Sequence, residues 1–159
     1  MNKLLVTVCY VGLLKPAPGT WGSLAGILLF LPIYIFGGPF TLITLTILIS
    51  IVGVFLVKEA TETSEDKDPS QIVIDEVAGQ WISLLPVSFG AYVYKMDLIQ
   101  LWPWLLLAFI LFRFFDIVKL GPVKWADDRN DALGVMLDDI FAGLIVAFIL
   151  IVSAWLYYG

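Results

Sequence analysis

Residues 16–57 read PAPGTWGSLAGILLFLPIYIFGGPFTLITLTILISIVGVFLV, 42 positions without one charged side chain. A run of this length has no place on the surface of a soluble domain. A bilayer asks for about 20 apolar residues per helical crossing. Gly37-Gly38-Pro39 punctuates the run near its middle, and such a cluster ends a helix and starts a turn. The stretch therefore predicts a helical hairpin with arms at 21–36 and 40–57, each close to the lower limit for crossing.

Working outward, residues 58–70 are charged and close on the turn chemistry of Asp68-Pro69-Ser70. Residues 72–94 are apolar again except for Asp75 and Glu76 at their start, with Pro86 expected to kink the helix. Lys95-Met96-Asp97 makes a short turn. Residues 98–115 form a fourth apolar span, and Gly121-Pro122 stops the helix that continues from it. A polar loop over 123–134 leads to a fifth span over 140–158. No alternation of strand type persists, which excludes a barrel.

Upstream, Lys3 and the apolar run 4–14 resemble the first two regions of a signal peptide, but Lys15-Pro16 stands where a small-x-small cleavage site belongs. The run is read as retained. At eleven residues it is too short to span and is expected to be interfacial or re-entrant. The fold class is thus all-α: a polytopic helical membrane bundle of about five spans plus a short N-terminal segment.

Composition agrees. Apolar residues make up 60% of the 159 positions and charged ones 14%, with a mean hydropathy of +0.96. Soluble chains carry about 25% charged residues. The length fits a single membrane-embedded domain over 1–159. Nine basic against fourteen acidic residues leave a net charge of −5, so no basic surface exists for nucleic acid. The single cysteine, Cys9, excludes an internal disulfide, and the absence of histidine closes every mechanism that needs an imidazole.

With five crossings, Lys3, Lys15, Lys58, Lys67, Arg113, Lys119, Lys124 and Arg129 fall on one side and Lys95 alone on the other. The positive-inside rule makes the first side cytoplasmic. All acids but Asp97 lie on that side too, which the rule does not require. Function is expected at that face.

Three acidic sites mark the cytoplasmic ends of three spans: Asp75-Glu76, Asp116 and Asp138-Asp139. A carboxylate within hydrocarbon costs roughly 2.5–3.5 kcal/mol on insertion scales, and converging carboxylates repel one another. A hard cation offsets both costs, and an all-oxygen donor set favours Mg²⁺ or Mn²⁺. The alternative for any one site is plain pairing of an acid with a helix dipole. Gly79 lies four residues after Asp75, and Ala142 and Gly143 lie four after Asp138 and Asp139, so small residues share the carboxylate-bearing faces and allow helices to approach.

Arg113, Asp116 and Lys119 recur every three residues, forming one helical stripe. It reads either as an interfacial ion ladder or as a phosphate-binding edge, to which the arginine fork is suited. Pro16-Ala17-Pro18-Gly19-Thr20-Trp21-Gly22-Ser23 opens a helix. Thr20 and Ser23 serve there either as simple caps or as part of an anion site. Asp66-Lys67-Asp68 has the Asp-x-Asp form of an aspartyl phosphatase but follows no apolar strand. Cys9 with Lys15 lacks the arginine of a cysteine-phosphatase loop. Trp102, Trp104, Trp155, Tyr157 and Tyr158 read as interface anchors at the outer ends.

Taken together, Pro18-Gly19-Thr20-Trp21-Gly22-Ser23-Leu24, Asp75-Glu76-x-x-Gly79, Phe112-Arg113-x-x-Asp116-x-x-Lys119-x-x-Pro122 and Gly134-x-Met136-x-Asp138-Asp139-x-x-Ala142-Gly143 resemble the phosphatidylglycerophosphatase A family in order and spacing. The resemblance runs from about Gly12 to near the C-terminus. It implies a Mg²⁺-dependent lipid phosphatase of the bacterial cytoplasmic (inner) membrane, which makes phosphatidylglycerol from phosphatidylglycerophosphate with its site facing the cytoplasm. The family pattern of an Ala-Asp-Arg stretch followed by His-Gly-Gly is not kept, because the chain reads Ala126-Asp127-Asp128-Arg129-Asn130-Asp131-Ala132-Leu133.

On this reading Asp75, Glu76, Asp116, Asp138 and Asp139 are the catalytic and Mg²⁺-holding residues. Arg113 and Lys119, with Thr20 and Ser23, bind the substrate phosphate. The partner is a phospholipid in the bilayer, and a homo-oligomer is left open. The competing class is a carboxylate-lined cation transporter or channel. It fits less well, since the acids gather at one face instead of lining a route.

Overall fold

The computed structural model describes residues 2–62, 66, 69–97 and 100–158, without the side chains of Asn2 and Tyr158. Lys67 and Asp68, placed above in the cytoplasmic charge set and in the Asp-x-Asp stretch, lie outside them. So do Leu98, expected to open the fourth span, and the Tyr158 side chain.

Among the described residues the chain is all-α, as expected, without a strand. In order come α1 (Asn2–Val6), a 3-10 turn (Val11–Leu13), α2 (Pro18–Thr61), α3 (Ile74–Tyr94), α4 (Trp102–Val118), α5 (Pro122–Asp127) and α6 (Ala132–Tyr158). The predicted hairpin is α2. Helical geometry is interrupted at Gly38, with φ 66° and ψ −167°, a conformation that glycine tolerates and Pro39 then continues. A straight helix of 44 residues would be about 66 Å long. Instead Gly22 near one end abuts Val73, and Leu56 near the other shares an apolar groove with Ile74. Phe40, just past the bend, meets Phe89 and Tyr92 edge-on at the far end of α3. The two arms therefore run antiparallel along α3.

α3 is the axis of the bundle, with α2, α6 and α4 packed around it. Its side chains are buried almost all round, from Ile74 to Ala91. Pro86 lies inside this helix, whose backbone stays helical throughout. Trp81 of α3 donates its indole N–H to the carbonyl of Gly26 in α2 at 2.9 Å, fixing the register of the two helices. Phe30, Leu42, Val77, Leu84, Phe112, Val146 and Leu150 fill the core between them. Buried hydroxyls are satisfied within their own helices: Ser23 donates to Gly19, Thr46 to Leu42 and Ser83 to Gly79, each to the carbonyl four residues back.

Outside this core the bundle is apolar. Phe36, Phe55, Phe148, Trp155 and Leu156 are all exposed, and Phe36 is 88% accessible. Among the described residues, two helices, Pro18–Thr61 and Ala132–Tyr157, are long and apolar enough to cross a bilayer. α3 carries Gln80, Ser83 and Ser88 along its length, and α4 has only 17 residues. The N-terminal segment packs on α2 and is tied to the entry of α3 by a hydrogen bond from the Val73 N–H to the Val6 carbonyl. It leaves Leu4, Leu5, Leu13 and Leu14 exposed.

Three boundaries differ from expectation. α4 ends at Val118, with Lys119 in the left-handed region at φ 50°, before Gly121-Pro122 is reached. The expected polar loop over 123–134 contains α5, whose Val123 and Ala126 are buried. α6 begins at Ala132, eight residues before the apolar span, because helices can start in polar sequence where a cap is available. That cap is Asp131, whose carboxylate accepts the Gly134 N–H at 2.6 Å. A hydrogen bond from Arg129, joined by the one from Gly134, holds the Asp131 carboxyl below the usual range. A depressed pKa stabilises the fold above the unfolded-state value of about 3.9 and loses that contribution as pH falls through the folded value. Asp131→Ala is expected to lower stability by about 0.5–2 kcal/mol at pH 7. The difference from wild type should shrink in melts as pH falls below the unfolded-state value of about 3.9.

Candidate active site

The site is built on one close helix crossing. A Cβ at Gly79 would lie 2.5 Å from the Asp139 carbonyl and 2.6 Å from the Phe112 ring. A Cβ at Gly143 would strike the Gly79 carbonyl. α3 and α6 thus touch backbone to backbone, as the spacing of small residues suggested. The crossing sets the first turn of α3, bearing Asp75 and Glu76, against Asp139 on α6.

These three residues each offer a carboxylate oxygen, and the oxygens lie within 4.8 Å of one another. Two oxygens on opposite sides of one Mg²⁺ stand about 4.2 Å apart. Asp75 and Asp139 are buried, and Glu76 Oε2 and Asp139 Oδ1 are buried oxygens without a hydrogen-bond partner. Crowded, desolvated carboxylates, two of them with an orphaned oxygen, make an all-oxygen donor set that fits a hard divalent cation. Dipole pairing does not explain Asp138 and Asp139, which lie almost two turns inside α6, whereas that effect is confined to the first turn.

The other two predicted carboxylates carry cations. Arg113 and Asp116, one turn apart near the end of α4, form an ion pair. Arg113 Nη1 also donates to Ser23 Oγ at 3.3 Å, so Ser23 reaches the site by steadying Arg113. Gly19 makes room for this arrangement: a Cβ there would strike the Glu76 carboxylate and come within 3.0 Å of Arg113 Nη1. Lys119 Nζ donates to Asp138 Oδ2 at 2.6 Å and to Asp127 Oδ1 at 2.7 Å. Burial opposes its charge, but the bonds to Asp127 and Asp138 outweigh burial and hold the Lys119 ammonium above the usual lysine range.

All five predicted carboxylates, with Arg113 and Lys119, line a single open cavity of about 320 Å³ at the end of the bundle. Ala17, Pro18, Gly19, Ser70, Ile72 and Ile117 complete its wall. Thr20 is not among the lining residues. Asp127 escaped notice as a partner of Lys119, since nothing in its local sequence announces a contact eight residues away through a turn. Gly19 was quoted only for backbone freedom, whereas it is the absence of its side chain that admits Glu76 and Arg113.

An anion-accepting edge of Arg113 and Lys119 beside a carboxylate triad suits a phosphate ester brought to a divalent cation. Comparisons with known proteins bear on the phosphate ester. The profile of the family described as Phosphatidylglycerophosphatase A matches residues 4–154. A Haemophilus influenzae protein named Phosphatidylglycerophosphatase A is 36% identical over 134 residues, covering 84% of this chain and 76% of that protein. An Escherichia coli protein of the same name is 34% identical over 142 residues, covering 87% and 75%. A Bacteroides thetaiotaomicron protein, named as a candidate phosphatidylinositol-3-phosphatase, is 34% identical over 145 residues, covering 87% and 84%. No solved structure matches the chain. On the strength of the near full-length match, the chain belongs to the phosphatidylglycerophosphatase A family.

Proposed function

We propose that this protein hydrolyses the terminal phosphomonoester of phosphatidylglycerophosphate to phosphatidylglycerol and inorganic phosphate. The observation that carries this reading is the meeting of Asp75, Glu76 and Asp139 with Arg113 and Lys119 around one open cavity. The names of the Haemophilus and Escherichia relatives support the substrate.

Asp75, Glu76 and Asp139 are the residues that would hold Mg²⁺, with Asp116 and Asp138 beside them. When bound, a divalent cation supplies Lewis-acid neutralisation of phosphoryl charge. Arg113 presents its guanidinium to the phosphoryl oxygens and is kept in place by Asp116 and Ser23. Lys119, held by Asp127 and Asp138, offers its ammonium to the same phosphoryl oxygens. Water attacks phosphorus in line with the departing glycerol oxygen; its proton goes to whichever of Glu76 and Asp139, the two acids with an unpartnered oxygen, is left uncoordinated, and that carboxyl then returns a proton to the leaving oxygen. Positive charge fixed before the reaction costs no reorganisation as charge develops on the phosphoryl group.

The protein works in a bilayer on this reading. The two arms of α2, with α3, α4 and α6, make the five crossings, and the N-terminal segment rests at the interface. The outward apolar side chains support it, since monomeric soluble proteins rarely expose contiguous apolar patches beyond a few hundred Å². The lysine and arginine distribution supports a cavity facing the cytoplasm, and the family resemblance supports a bacterial inner membrane.

Phosphate release from phosphatidylglycerophosphate in mixed micelles tests the reaction. Release should occur with Mg²⁺ and cease with EDTA, and should exceed release from phosphatidylinositol 3-phosphate. A folded sample that prefers the inositol lipid would shift the substrate to the one in the Bacteroides relative's name, and one that releases phosphate from neither would overturn the reading. Asp75→Asn and Asp139→Asn should each abolish turnover while the protein still extracts as a folded species. Arg113→Ala should lower kcat by about 10²–10³-fold, the effect of losing one preorganised charge-stabilising donor.

A further inference from the structure

We propose that Asp127 is a positioning residue of this site, acting through Lys119. The inference rests on the phosphate-binding role of Lys119 given above and extends it to a residue outside the cavity. Lys119 ends α4, and its backbone sits in the left-handed region, so its side chain leaves the helix end at an angle that a continuing helix would not permit. The chain then turns at Gly121, runs through α5 and returns Asp127 to the ammonium. Asp127 is not a lining residue, whereas Lys119 and Asp138 are.

The geometry divides the work of the ammonium. Its three hydrogens are its only hydrogen-bonding capacity. Among the described residues, Lys119 spends one on Asp127 and one on Asp138. Held between two acceptors from different elements, Nζ can no longer swing on its four-carbon stem, and the third hydrogen is left for a phosphoryl oxygen. With Asp138 alone the ammonium would collapse onto the carboxylates and mask one of them. Asp127 pulls against that collapse.

α5 is anchored independently of this bond. Val123 and Ala126 are buried, Lys124 pairs with Asp128, and α5 packs on α6. A Cβ at Gly134 would lie 2.7 Å from the Ala126 carbonyl, so the end of α5 is seated directly on the start of α6. Asp127 is thus presented by a scaffold that survives its replacement.

The test is a double-mutant cycle on phosphate release from phosphatidylglycerophosphate, using the full-length protein in mixed micelles with Mg²⁺. Lys119→Met should lower kcat/KM by about 10²-fold or more. Asp127→Ala should lower it by about 10–100-fold, as misplacement of a binding group does. In the Lys119→Met background, Asp127→Ala should cost less than twofold, because its only route to the substrate is gone. Asp127→Asn carries the same comparison if the alanine variant does not extract as a folded species. If Asp127→Ala costs the same in both backgrounds, or nothing in either, the positioning role is overturned while that of Lys119 stands. If Lys119→Met itself retains wild-type kcat/KM, the phosphate-binding role of Lys119 falls and this inference falls with it.

Discussion

Everything at the site depends on two helices touching without side chains between them. Gly79 and Gly143 let α3 and α6 approach until the carbonyl of one glycine occupies the place of a Cβ on the other. In an apolar medium such contact is the main source of helix association, since a hydrophobic driving force between helices is absent there. The same contact brings Asp139 to Asp75 and Glu76. Packing and chemistry are therefore set by one crossing, and a methyl group added at either glycine would disturb both.

That proximity has a cost. Among the described residues, six acids, Asp75, Glu76, Asp116, Asp127, Asp138 and Asp139, gather with the two cations Arg113 and Lys119 at or beside the cavity. The pairs divide the cluster into two functions. Asp116 and Asp138 are engaged by cations, and they hold those cations at the rim of the cavity. Asp75, Glu76 and Asp139 are the subset whose oxygens converge, and Glu76 Oε2 and Asp139 Oδ1 are buried there without a hydrogen-bond partner. An excess of buried negative charge is tolerable when a divalent cation completes it, and the donor set is of the kind such ions take.

The sequence was most legible where physics is local. Gly37-Gly38-Pro39 in a charge-free run announced the fold-back of α2, and the spacing of Asp75 to Gly79 and of Asp139 to Gly143 announced the shared face. Helix limits were harder to read. Hydropathy marks where a chain becomes apolar, but α6 begins eight residues earlier, at a cap furnished by Asp131. α5 is six residues with two buried apolar positions, too few for a periodic signal, and so its segment read as a loop. The Lys119–Asp127 bond depends on that helix and was invisible for the same reason. Thr20 was attractive as a hydroxyl at a helix start, yet the face of α2 turned to the cavity carries Gly19 instead.

Ile117, which lines the cavity, is also 67% exposed on the flank of the bundle. A charged cavity with an apolar shoulder is a place where a headgroup can enter while its acyl chains stay in the lipid phase. Encounter is then a two-dimensional event, and the concentration that matters is the mole fraction of substrate in the host film rather than its molarity in the sample. Inert lipid or detergent dilutes such a reaction without inhibiting it. The two products part by solubility, phosphate to water and the dephosphorylated, still anionic lipid to the lipid phase, so departure from the cavity is directional.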